Sequence, residues 1–107
     1  MLTTDRNDPN LRKVKENGQN EAYLILSDEE RAKGFVRPFK DSYIHVGKLI
    51  EGKRVGGCGA LTKMNKIISE TYAREPKFYS ATFCIGCGKH LPVNEFLWDN
   101  TNEEVGS

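Results

Sequence analysis

The tightest constraint on this chain is Cys84-Ile85-Gly86-Cys87, a C-x2-C pair followed at once by Gly88. Spacing of three lets both thiolates of one tight turn face a single ion, while the glycines relieve the backbone and free amides to point at sulfur. The same spacing serves redox exchange, but that chemistry wants the motif opening a helix in a βαβ unit. Here Gly88-Lys89-His90-Leu91-Pro92 and a strand-like stretch follow, so metal ligation is the better reading.

A tetrahedral ion needs two further ligands, and the chain offers Cys58, His45 and His90. Cys58 lies between Gly56-Gly57 and Gly59, surroundings that suit a ligand loop better than a buried small hydrophobe. The histidines compete for the last place. His90 is only three residues past Cys87 and would have to fold back over its own knuckle, just before a stretch that Pro92 holds extended. His45 precedes Val46–Gly57, which reads as two short arms around a Glu51-Gly52 turn; closing that hairpin would deliver His45 and Cys58 together. The favoured set is therefore His45, Cys58, Cys84 and Cys87, one structural Zn²⁺ in a closed Cys3His site.

A staple of this kind matters for a chain of 107 residues with 37% hydrophobic content. A domain so small buries only about 65% of its unfolded surface. Residues 1–21 are polar and aperiodic and read as an N-terminal arm; 22–107 read as a single zinc-binding domain. Within it, Ser27 stands at capping-box spacing before Glu30, and Gly34 ends the short helix they open. Ser42–Val46, Gly47–Ile50 and Lys53–Val55 have strand composition. The main helix is expected over about 63–75, with Thr62 as a possible cap and Pro76 as its stop. Strands over Lys77–Phe83 and Val93–Trp98 complete an α+β domain of antiparallel hairpins around one main helix.

Net charge is +1, which argues against bulk electrostatics as the source of nucleic-acid or membrane affinity. No apolar run reaches 18 residues, so no membrane span is expected, and Met1–Asn10 has no secretory h-region. Three cysteines cannot all pair within one chain, and a reducing cytoplasm is the expected setting. The charge is unevenly placed: residues 34–77 carry nine basic side chains against four acidic ones.

Enzyme signatures fail one by one. The zinc deaminases need His-x-Glu and Pro-Cys-x-x-Cys, whereas here His45-Val46-Gly47 lacks the glutamate and Phe83 stands where the proline should be. HExxH, GxSxG and phosphate-loop patterns are missing from the sequence. The expectation is a protein without catalytic activity of its own.

Cys84-x2-Cys87-Gly88, Leu91-Pro92 and Glu95-Phe96 resemble the knuckle-and-strand half of zinc-ribbon or treble-clef-like modules found in phage and nuclease-associated proteins. The longer stretch from Tyr43-Ile44-His45 through Cys58-Gly59 and Glu70-Thr71-Tyr72-Ala73 to Phe96-Leu97-Trp98 is similar to small uncharacterised phage proteins. That resemblance implies a virus-encoded zinc-binding protein at work in a bacterial host, with no defined activity. Two uses then compete. A protein partner could be gripped by aromatics among Phe39, Tyr43, Tyr79, Phe96 and Trp98, unless these pack the core. Alternatively, the basic segment 37–74, with Lys48, Lys53, Arg54, Lys63 and Lys66, could bind nucleic acid, and its gathering on one face would favour that use.

Overall fold

A computed structural model describes all residues from Met1 to Ser107. The chain opens with β1 (Leu2–Thr3), which pairs in parallel with β2 (Tyr23–Leu24). Between them, a 3₁₀ turn over Pro9–Arg12 and an isolated bridge from Val14 to Asn20 give residues 1–21 a folded path. The one-turn helix α1 (Asp28–Arg31) starts as its sequence demands, with the Ser27 hydroxyl accepting from the Glu30 amide at 3.2 Å.

Next come β3 (Ser42–His45), β4 (Gly47–Ile50), β5 (Lys53–Gly56) and β6 (Leu61–Lys63). Strands β4 and β5 form the expected hairpin, with Ile50 opposite Lys53. Glu51 and Gly52 both have positive φ (50° and 81°), as a tight two-residue turn with this twist requires. The main helix, α2, runs Lys66–Arg74, shorter at its start than expected. Thr62 and Lys63 are drawn into β6, opposite Tyr43 and Ser42, so Asn65 takes the cap instead and accepts from the Ile67 amide at 2.8 Å.

The last third holds β7 (Ala81–Cys84), β8 (Lys89–Pro92) and β9 (Phe96–Trp98). Two expectations are corrected here. Lys77–Tyr79 turns instead of extending, with the Phe78 amide on the Glu75 carbonyl at 3.0 Å. Val93–Glu95 is a 3₁₀ turn and not the start of a strand. The extended backbone lies earlier, in β8, which pairs with β7 to make the Cys84–Cys87 knuckle a hairpin tip.

The fold is α+β, with one three-stranded antiparallel sheet in the order β6-β3-β9 and three separate two-stranded pairs. Its core is small: Tyr43, Tyr72, Cys84, Phe96 and Val105 are buried together. Tyr43 meets Phe96 edge-on at 5.2 Å, and Trp98 closes the cluster against Tyr72 at 5.6 Å. Tyr43 and Phe96 are thus core residues and unavailable as surface anchors. No helix is long and apolar enough to cross a membrane.

Candidate metal centre

His45 ends β3 and Cys58 follows β5, so the β4–β5 hairpin loops out between them and returns. The loop is closed at its base by the Gly59 amide on the His45 carbonyl at 2.9 Å and the His45 amide on Ala60 at 3.3 Å. Cys84 and Cys87 come from the tip of β7–β8, where the Gly88 amide closes the turn onto the Cys84 carbonyl at 2.8 Å. Gly86 lets the two units meet. A Cβ there would stand 2.8 Å from the Cys58 sulfur and 2.7 Å from the Ala60 Cβ.

The result is one cluster. The ligand atoms of His45, Cys58, Cys84 and Cys87 all lie within 4.8 Å of one another. The Cys58 and Cys84 sulfurs are 3.3 Å apart, and the Cys87 sulfur is 3.6 Å from His45 Nδ1. A tetrahedral ion with sulfurs at about 2.3 Å needs edges of about 3.8 Å, so small side-chain adjustments suffice. Three thiols and an imidazole are the donors that a borderline-soft divalent cation takes. His90 lies elsewhere. It sits opposite Phe83 on β8, with its Nε2 hydrogen-bonded to the Tyr23 hydroxyl at 3.0 Å.

The His45 ring is prepared for ligation. The Cys58 amide donates to Nδ1 at 3.2 Å, which makes Nδ1 the lone-pair nitrogen, and Nε2 then carries the proton to Glu95 Oε1 at 3.0 Å. An imidazole held by a carboxylate on its far nitrogen is fixed in tautomer and orientation and made more basic. Glu95 is itself buried. Spacing arguments did not reach it, because its partner is 50 residues away. The one signal was an acid placed directly before the apolar Phe96-Leu97-Trp98, where burial would demand a cationic or hydrogen-bonding partner.

The protons of the cluster show the strain of crowding three sulfurs. Cys58 is lowered to about 7, first by the Ala60 backbone amide and then by hydrogen bonds from Cys84, His45 and Cys87. Cys87 is pushed up to about 11, by desolvation and by the neighbouring Cys84 and Cys58. His45 is raised: burial opposes its charge, but hydrogen bonds with Glu95 and Cys58 outweigh that. Ionisation of Cys58 is favoured in this setting, and ionisation of Cys87 beside it is opposed. A divalent cation would reverse that opposition by supplying the charge that all three thiolates need.

No family model matches the chain, and no curated protein or solved structure shows a significant likeness to it.

Proposed function

We propose that the chain is a zinc-stapled interaction protein, with Zn²⁺ held by His45, Cys58, Cys84 and Cys87 and a protein as its partner. The observation that carries this reading is the convergence of four ligand atoms, from two separate hairpins, within 4.8 Å of one another. Four protein donors fill a tetrahedral ion and leave no position for substrate or a reactive water, so the metal holds structure and does no chemistry. The resemblance of the knuckle to phage modules supports a virus-encoded protein acting in the cytoplasm of a bacterial host.

Surface chemistry favours a protein partner over nucleic acid. The β4–β5 hairpin stands as its own two-stranded sheet and exposes Leu49, Ile50 and Val55. Apolar side chains presented in this way are a protein-docking feature. Two of the basic residues, in contrast, are engaged within the chain. Arg54 turns back to the Gly47 and Asn94 carbonyls and to Glu104, and Lys63 lies 3.9 Å from Asp41.

Elemental analysis of the purified protein should give about one zinc per chain. Affinity capture from host cells, with and without nuclease, tests the partner. A protein that stays bound after nuclease treatment supports the reading, whereas complete loss of bound material on nuclease treatment overturns it in favour of nucleic acid.

A further inference from the structure

The β4–β5 hairpin has two unlike faces. Its register sets Lys48 opposite Val55 and Ile50 opposite Lys53 on one face, and Leu49 opposite Arg54 on the other. Arg54 decides which face looks inward, because its guanidinium reaches back to the Asn94 carbonyl and to Glu104, each at 3.0 Å. Lys48, Ile50, Lys53 and Val55 therefore form the outward face, and all four are exposed. Neither lysine is paired with a carboxylate.

The backbone of β5 is open as well. No third strand joins this pair, and β4 lies along the turn at Val93–Glu95, so the free edge belongs to β5. A two-residue turn makes the flanking Ile50–Lys53 pair the hydrogen-bonded one. Bonded and non-bonded pairs alternate, so the Arg54 amide and carbonyl point away from β4. They bond to no backbone group elsewhere in the chain.

Such an edge can accept an extended segment of another chain. The lysines select which. A second copy would bring its own Lys48 and Lys53 alongside the first pair, and like charges oppose that pairing. Carboxylates are favoured instead. Along the outward side of β5 a basic residue and an apolar one follow each other, Lys53 then Val55, so a matching strand carries an acid and an apolar residue two positions apart.

We propose that β5 takes up an extended acidic segment of the protein partner as a third strand. Its carboxylate faces Lys53, with Lys48 on the same face behind, and its apolar side chain packs on Val55. This rests on the reading of the chain as a protein-binding module and specifies what the partner presents.

The probe is a capped nine-residue peptide with threonine at odd positions and glutamate and valine taking turns at even ones. It is titrated into the isotope-labelled, zinc-loaded full chain, followed by NMR and amide exchange. Saturable shifts centred on Lys53–Val55 are expected at millimolar peptide. Exchange should slow at the Arg54 amide, which points at the added strand, and change little at the Val55 amide, which the hairpin already uses. Replacing glutamate by lysine in the peptide should abolish binding. The double variant Lys48→Glu, Lys53→Glu should weaken the acidic peptide about tenfold or more and accept the basic one; its zinc content checks that it is folded. Absence of saturable binding overturns the proposal, as does binding that leaves Arg54 exchange unchanged or that the double variant retains in full. Protection of Arg54 that rises with protein concentration alone would assign the edge to a second copy, and preferential binding of oligothymidylate there would assign it to nucleic acid; either overturns the proposal. In the capture experiment, a nuclease-resistant partner held equally by the double variant would overturn strand addition while the interaction reading stands. With no such partner that reading fails, and the titration alone judges the edge.

Discussion

At the scale of single residues, the centre rests on how His45 is held. Its Nδ1 faces the sulfurs because Nε2 is anchored on Glu95, so the carboxylate would act on a bound metal through the ring. Glu95→Gln keeps a hydrogen-bond acceptor but removes the charge, and should lower zinc affinity about tenfold to a hundredfold. Competition with a chromophoric chelator measures this directly; an unchanged affinity would mean that Glu95 only fills space. In the same assay His45→Ala should abolish tight binding, whereas His90→Ala should leave it nearly intact, since His90 is engaged with Tyr23. The residues recoverable from sequence were those whose geometry is local. Cys84 and Cys87 are fixed by a spacing of three, and His45 and Cys58 by the closure of one hairpin. Glu95 was not recoverable, because its role depends on a side chain 50 residues away that only the folded chain brings near.

Elements carry the site as units, and the β4–β5 hairpin is the clearest of them. Its turn was readable because Glu51-Gly52 stands between two strand-like stretches. The helix start was not, because pairing of β6 with β3 took Thr62 and Lys63 out of the helix that local propensity would have extended. The base of the hairpin is pinched at Gly47, with φ of +88°, where a Cβ would stand 2.2 Å from the Val55 carbonyl oxygen. Gly47→Ala therefore meets backbone it cannot displace, on top of about 1–2 kcal/mol for a left-handed non-glycine residue. The hairpin should splay, separating His45 from Cys58, and zinc affinity should fall without any ligand being changed. The N-terminal segment has its own sensitivity. Desolvation lowers the pKa of His90, whose ring is hydrogen-bonded to the Tyr23 hydroxyl. An undocked His90 titrates near 6.5 and a docked one lower, so the undocked state binds more protons between those values. Docking should be at full strength above about pH 6.5 and weaken as pH falls through it. Amide exchange at Asn20–Tyr23 should show that loss, and His90→Gln should flatten it; equal pH profiles in the two proteins would remove His90 from the account.

For the whole molecule, the question is what joins the parts. Only β6, β3 and β9 share a sheet; β4–β5 and β7–β8 are separate pairs with no backbone ladder between them. A two-stranded hairpin alone is marginal in water. The buried core that must hold both hairpins has five members, and one of them is Cys84 itself. Zinc would therefore bridge two hairpins that share no backbone ladder, replacing an unfavourable crowd of thiols with four bonds. The apparent binding free energy of such sites is on the order of 10 kcal/mol, comparable with the whole stability of a small domain. Chelation should accordingly do more than empty a site. It should lower the melting temperature sharply and expose the β7–β8 knuckle and the loop at Cys58 to hydrogen exchange first. The packing of Tyr72 against Trp98 lies outside the cluster and should loosen later, as a separate change in tryptophan fluorescence. Re-adding zinc should restore both signals together, and Cys84→Ser should mimic the chelated state even with zinc in excess. A chelated protein that kept its full melting temperature would show that the small aromatic core alone holds the hairpins, and the metal would lose its structural role.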